Sequence, residues 1–389
     1  MPLATTQSAK ASPPRLAHIR ELDGIRGIAA LMVLFHHVCF TSIQESGWPA
    51  PILYLRTFSI AGAYGVDLFF VLSGFLITSI LMEARHRKAY YQDFYWKRAL
   101  RILPLYTLCL IAVLLLVPGS RGYVLMSALF VSNFAWLFHI ESNGPFWTLA
   151  IEEQFYLLWP TVVRRRSIDQ LRRWAIAVAL SAVGLRLIAA AFGHYNYYFT
   201  FFHCDGLASG AVLACWFAQS KSQSQSGARS TRGDRRWIVT AFLVGAVLFL
   251  APSLNPTGPR AIAFAAASQL TGVTMLCATT VAFILLHAGA SQLAPLRSRF
   301  LTFFGLISYA LYMVHLYVLR AYDYLRGPLP SGDVPAYVVR FCVIFTASIA
   351  LCLLTRYLIE LPAMSLRRYV LARPTLSEAL TPTSPPPAA

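Results

Sequence analysis

The sequence predicts an all-α polytopic membrane protein with about ten transmembrane helices and both termini in the cytoplasm. Three observations carry that reading: an apolar excess, a series of span-length apolar runs, and a one-sided distribution of Lys and Arg. A soluble chain carries about a quarter charged residues. Here the 389 residues are 57% hydrophobic and 13% charged, and the mean hydropathy is +0.57. One aqueous core cannot hide that much apolar surface, so lipid is the solvent for much of the chain.

Crossing about 30 Å of hydrocarbon takes about 20 apolar residues. Runs of that kind fall near 25–43, 62–82, 102–118, 146–163, 174–192, 203–218, 237–252, 261–287, 301–321 and 337–359. The stretch 123–138 is also apolar, and charge decides its status. With ten spans and a cytoplasmic N-terminus, the inside segments collect Lys10, Arg15, Arg20, Arg85, Arg87, Lys88, Lys97, Arg98 and Arg101. They also take Arg164, Arg165, Arg166, Arg172, Arg173, Lys221, Arg229, Arg232, Arg235, Arg236, Arg297, Arg299, Arg367, Arg368 and Arg373. The outside loops hold Arg56, Arg121, Arg260 and Arg326. A ratio of about 24 to 4 fits the rule that cytoplasmic loops keep the basic residues. Letting 123–138 cross would invert every later loop, so that segment is expected to be re-entrant or interfacial.

The same rule accounts for the net charge of +17 without nucleic acid as a partner. The seven cysteines are scattered through apolar runs and read as small core residues; no metal site is expected. No cleavable leader is expected either, because the first apolar run follows a polar stretch and is long enough to span. The domain reading is a polar cytoplasmic leader over 1–21, an integral-membrane domain over 22–363, and a disordered cytoplasmic tail over 364–389. Residues 219–236, rich in Ser, Gln and Arg, read as a flexible linker. Gly206 and Gly210 form a GxxxG spacing that lets two membrane helices approach closely. A multi-pass protein of the cell (inner or plasma) membrane follows.

A charged group inside a membrane helix costs roughly 2.5–3.5 kcal/mol even on the gentler scale. Arg186, Arg320, Arg340 and Arg356 stand near span ends and are expected to snorkel to water. That account fails for His37, Asp67, Glu153 and His315, which have apolar neighbours on both sides. In the first span, Leu22-Asp23-Gly24-Ile25-Arg26-Gly27-Ile28-Ala29-Ala30 runs on to His36-His37. Eleven steps from Arg26 to His37 come to about 20° past three turns, so the two share a face, roughly 16 Å apart along the axis. His36 lies about 80° off it. A neutral imidazole near mid-membrane can take a proton from a hydroxyl, as a general base must. The competing reading is a packing histidine that bonds a neighbouring span.

In the second span, Asp67 within GVDLFFVLSGFLIT needs an Arg or His partner from another helix. Arg98 and Arg101 share one helix face at the cytoplasmic entry of the third span. Paired guanidiniums suit phosphate or pyrophosphate, although a charge anchor would look the same. In the fourth span, FWTLAIEEQFYLLWP carries Glu152 and Glu153 side by side. Neighbours point about 100° apart, so one is expected to face the protein interior and the other water.

These motifs, in this order, resemble the membrane-bound acyltransferase-3 family. The likeness runs from about residue 20 to about 363. It rests on the LDGIRGIAA run with Arg26 and His37, GVDLFFVLSGFLIT, the Arg98/Arg101 pair and FWTLAIEEQFYLLWP. SYALYMVHL around His315 and IELP with Glu360 and Pro362 complete it. The resemblance implies that His37 is the catalytic base, supported by Arg26, and that Glu153 matches a functional glutamate, with Glu152 less secure. It implies that Arg98 and Arg101 hold an acyl donor, usually a coenzyme A thioester. Asp67, His315, Asp205 and His36 are supporting residues on this reading. One departure stands out: the family often has an arginine two residues before Asp205, where this chain has His203. No esterase-like second domain is expected to follow the membrane part.

The implied chemistry is transfer of an acyl group, acetyl by family precedent, to a hydroxyl. The acceptor would be a glycan, a glycolipid or an antibiotic-like natural product. Acyl-CoA serves as co-substrate and no cofactor is permanently bound. Glu153 or Asp67 is expected to orient the histidine or the acceptor. The rival reading is a proton-coupled transporter or flippase, with intramembrane His, Asp and Glu as a proton relay. A mixed mode, in which the acyl group itself crosses the membrane, is compatible with a mid-depth histidine.

Overall fold

The computed structural model describes residues 18–40, 47–142, 144–193, 197–225, 231–250, 252, 256–327, 330 and 332–366. Most of the 1–21 leader and of the 364–389 tail lies outside the described residues, as do Lys10, Arg15, Arg229, Arg367, Arg368 and Arg373 and part of the 219–236 segment.

Among the described residues the regular structure is all helical. In chain order it comprises α1 (Arg20–Phe40), α2 (Ala50–Ile60), α3 (Gly65–Ala84), α4 (Tyr90–Leu116), α5 (Arg121–Ala128) and α6 (Phe146–Arg165). There follow α7 (Ile168–Ala191), α8 (Thr200–Gln225), α9 (Thr231–Leu250), α10 (Pro259–Leu286), α11 (Arg299–Arg326), α12 (Val334–Thr355) and α13 (Leu361–Ser365). A π-turn, Arg356–Glu360, joins α12 to α13. It stands just before Pro362, whose missing N–H breaks the regular bonding of the turn that precedes it.

Each expected span overlaps one of the long helices over its described residues. Eight stretches are long and apolar enough to cross a membrane, including Ala50–Ala84 and Val334–Ser365, which run through short 3-10 or π connections. The protein is therefore a multi-pass membrane protein. Helices α6 and α9 reach span length but not that apolarity. The first carries Glu152, Glu153 and Gln154 mid-helix, and the second opens on Arg232, Asp234, Arg235 and Arg236. The stretch 123–138 holds the end of α5 and a 3-10 helix, Ser132–Phe138, both far short of the length needed to span.

Local chemistry sets several helix starts. Ser167 and Gln170 form a reciprocal capping box at α7, directly after the basic Arg164–Arg166 run. Asp333 caps α12 by accepting from the Ala336 N–H at 2.9 Å.

The chain divides into two compact units. The first comprises Met1–Ala29, Tyr64–Lys88 and Ile151–Gly305. Its apolar core joins Leu68, Val71 and Phe75 of α3 to Leu213 and Ala214 of α8, Val281 and Leu285 of α10, and Leu22 and Ile25 of α1. Lipid tails are as apolar as leucine, so close backbone approach has to supply much of the helix–helix attraction. Helices α3 and α8 show it: a Cβ on Gly74 would overlap the Leu207 carbonyl, and one on Gly210 the Val71 carbonyl. The GxxxG spacing does the packing work expected of it. At the start of α1, Glu21 accepts from Arg297 Nη1 at 2.6 Å and from the Gly289 N–H at 2.9 Å.

The second unit comprises Ala30–Ala63, Ala89–Ala150 and Leu306–Ala389. Polar ties recur through it. Tyr106 donates to the Ser127 carbonyl at 2.7 Å and Tyr123 to the Gly144 carbonyl at 2.9 Å. Arg340 of α12 makes a two-pronged bond to Asp323 of α11, both prongs at 2.9 Å, and also donates to the Val38 carbonyl of α1.

Candidate functional site

Helix α1 runs unbroken from Arg20 to Phe40, so Arg26 and His37 lie on one helix as their spacing requires. His36 and His37, adjacent in sequence, do different things. The His36 Nδ1 bonds the Ser59 carbonyl of α2 at 2.9 Å. Its ring stacks on Phe40, centroids 5.2 Å apart, and Arg56 lies over the same Phe40 ring. His36 is thus engaged in packing α1 against α2. The His37 Nδ1 lies 2.9 Å from the Val33 carbonyl and 3.2 Å from Nε2 of His315. The two rings sit edge to face, centroids 5.0 Å apart. His315 is buried, 1% exposed, and its Nδ1 bonds the Leu311 carbonyl at 2.8 Å.

Helix α11 organises the second unit around this pair. Its Tyr309 donates to the Ile102 carbonyl of α4 at 2.8 Å, one turn beyond Arg98. Its Tyr312 hydroxyl accepts from Thr148 of α6 at 2.9 Å. His315 meets α1. Residues three apart on a helix step round it by only about 60°, so one broad face of SYALYMVHL reaches three other helices. Sequence reasoning singled out His315 from that motif and missed Tyr309, Tyr312 and Thr148. The i, i+3, i+6 spacing of Tyr309, Tyr312 and His315 in an apolar helix is the clue that could have found them.

Arg98 and Arg101 stand on α4 in the same unit, Arg98 half-buried and Arg101 exposed. Lys97 beside them pairs with Asp93 at 3.1 Å. Glu360, buried in the π-turn, feels the charges of Arg356 and Arg101, and its Oε1 has no hydrogen-bond partner among the described residues. The second unit therefore holds His36, His37, His315, Arg98 and Arg101.

The first unit holds Arg26, Asp67, Glu152, Glu153 and Asp205. Glu152 and Glu153 are both half-buried, so the expected split between an inward and a watery carboxylate is not seen. Their neighbour Gln154 accepts from Thr200. Asp67 is buried with its Oδ1 3.6 Å from His203 Nδ1, a proximity longer than a hydrogen bond, and its Oδ2 has no hydrogen-bond partner among the described residues.

Two arginines depart from expectation. Arg186 does not snorkel. It is wholly buried and donates to Asp205 Oδ2 at 2.7 Å, the Phe202 carbonyl at 2.6 Å and Thr271 Oγ1 at 3.0 Å. Arg340 does not snorkel either, since Asp323 and the Val38 carbonyl hold it inside. The reason is the same for both: a carboxylate on a neighbouring helix lies within reach, and a bonded guanidinium need not seek water. Asp205 thus has its guanidinium from α7, while His203 occupies the position where the family often places an arginine.

A family model described as an acyltransferase domain, the acyltransferase-3 family, matches residues 19–357. The chain belongs to that family. Among curated relatives, the peptidoglycan O-acetyltransferase OatA of Listeria monocytogenes is 31% identical over 163 residues, covering 37% of this chain and 24% of that protein. The O-acetyltransferase OatA of Staphylococcus aureus is 31% identical over 161 residues, covering 36% of this chain and 24% of its own. The chain thus matches about a quarter of the length of these curated relatives. No solved structure matches. The acyltransferase-3 match takes in His37, Arg98, Arg101, Glu153 and His315 and stops short of Glu360.

Proposed function

We propose that this protein is an integral-membrane O-acetyltransferase that moves an acetyl group from acetyl-CoA to a hydroxyl of a glycan-type acceptor, with His37 as general base. The observation that carries the proposal is the contact of half-buried His37 with buried His315 inside a chain of the acyltransferase-3 family. An imidazole held by hydrogen bonds within the membrane can remove a proton from an acceptor hydroxyl. The resulting oxygen attacks the thioester carbonyl, and the CoA thiolate leaves and takes up the proton. Arg98 and Arg101 would hold the phosphates of the donor, since a guanidinium pairs with phosphate through charge-assisted, two-pronged bonds. Peptidoglycan, named as the acceptor of the Listeria relative, is a glycan, which supports a sugar hydroxyl here. Arg26, eleven residues before His37 on the same helix α1, takes part as a supporting group.

The test uses membranes carrying wild type and His37→Ala at matched protein levels, supplied with radiolabelled acetyl-CoA and an extract of host glycans and lipids. Label enters an alkali-labile ester in the wild type alone. Equal labelling in both removes His37 from the reaction. No labelling in either, with liposomes that move a glycolipid when no donor is present, establishes the transporter reading instead.

A further inference from the structure

The carbonyl bonds of the histidine pair decide where its protons sit. A carbonyl oxygen has no hydrogen to give, so a ring nitrogen bonded to it must be the donor. His315 Nδ1 faces the Leu311 carbonyl at 2.8 Å, and His37 Nδ1 faces the Val33 carbonyl at 2.9 Å. Both rings therefore carry hydrogen on Nδ1. A neutral imidazole carries only one such hydrogen, so Nε2 of His315 is an acceptor. That acceptor lies 3.2 Å from His37 Nδ1. The hydrogen on His37 Nδ1 is then shared between the Val33 carbonyl and His315 Nε2, a three-centre bond. A proton on His315 Nε2 would instead set two N–H groups against each other across the same gap.

We infer that His315 is a positioning residue that holds His37 in the Nδ1–H tautomer and so makes Nε2 the basic nitrogen. This rests on the reading of His37 as the base. The carbonyl bond by itself is commonplace: the exposed His287 makes the same contact to Phe283 four residues back, at 3.0 Å. What sets the pair apart is the second nitrogen of a fully buried ring aimed at the first nitrogen of another.

The proton balance is closed. The acceptor hydroxyl gives its hydrogen to Nε2 of His37, which keeps the hydrogen on Nδ1 and becomes an imidazolium. Its Nδ1–H now makes a charge-assisted bond to neutral His315. When the tetrahedral adduct expels the CoA thiolate, the Nε2 hydrogen goes to sulfur and the pair returns to its starting state. His315 stays neutral throughout. A carboxylate in that role would bring a second charge into the membrane, with the cost such a charge carries there.

Two measurements test the inference. Solid-state NMR on protein with isotope-labelled histidine, in lipid, identifies which ring nitrogen of His37 bears hydrogen; a difference spectrum against His37→Gln assigns the signal. Hydrogen on Nδ1 is expected, and hydrogen on Nε2 overturns the inference while leaving the base itself untouched. The second measurement compares two amides. Glutamine reaches the place of Nε2 and can accept from His37, whereas asparagine reaches only the place of Nδ1 and keeps the Leu311 bond alone. His315→Gln is expected to keep kcat within about ten-fold of wild type and His315→Asn to lose roughly 10²-fold or more, with the donor KM unchanged in both. Equal losses in the two variants, or none in either, refute the positioning role. Activity retained by His37→Ala would instead defeat the underlying base reading, whatever the tautomer.

Discussion

Replacing Arg186 with Met should be the most damaging single change in the first unit. The guanidinium is wholly buried and ties α7 to α8 and α10 through three bonds: Asp205 at 2.7 Å, the Phe202 carbonyl at 2.6 Å and Thr271 at 3.0 Å. Polar contacts between membrane helices average about 0.6 kcal/mol and reach about 1.7 kcal/mol, so the direct loss of three at the average accounts for about 2 kcal/mol. The carboxylate of Asp205, itself buried, then stands without its cation, which adds roughly 2.5–3.5 kcal/mol. Together these terms predict a loss of about 4–5 kcal/mol, in line with the cost of breaking a buried ion pair from one side. The assay is reversible unfolding in mixed micelles, with folded yield as a second readout. Arg186→Met/Asp205→Leu removes both charges and should recover at least half of the loss, because no unpaired charge is left. Stability of Arg186→Met within about 1 kcal/mol of wild type, or a double variant worse than the single one, would refute the reasoning, since the sum rests on the lost polar contacts and on the unpaired buried carboxylate.

Three further changes probe packing and donor binding. Gly74→Ala sets a methyl against the Leu207 carbonyl of α8, an atom that cannot swing aside; it should cost about 1–3 kcal/mol in the same unfolding assay. Gly184→Ala on α7 meets open space and should leave stability unchanged or slightly improved, because alanine favours the helix. Arg101→Gln should raise the acetyl-CoA KM about ten-fold, as expected when one charge-assisted phosphate contact is lost, with kcat little altered. The wild-type KM should also rise with salt while that of the variant rises less. Steady-state transfer at two ionic strengths checks both points, and an unchanged KM removes Arg101 from the donor site.

Much of the site was legible in the sequence because its residues violate a local rule. Histidine, aspartate or glutamate in an apolar run is costly, so His37, Asp67 and His315 announce themselves without any knowledge of their surroundings. Arg186 and Arg340 break the same rule, but a long side chain near a span end has an innocuous account in snorkelling. Only the presence of Asp205 and Asp323 within reach removes it. Tyr309 and Tyr312 were passed over for another reason: tyrosine is ordinary in a membrane helix, and its hydroxyl gains meaning only from the carbonyl or hydroxyl it meets.

The sequence by itself determined that the chain is helical, that it lies in a membrane, which helices carry ionisable groups and which family it belongs to. These follow from hydropathy, helical period and ordered motifs, all of them properties of position along one chain. Tertiary structure alone decided the pairing of those groups: His37 with His315, 278 residues away, Arg186 with Asp205, and Arg340 with Asp323. The reason is physical. A partner is chosen by the depth and rotation of each helix, which are set by how it packs against its neighbours, and the glycines that let α3 and α8 approach so closely act only when both helices are present.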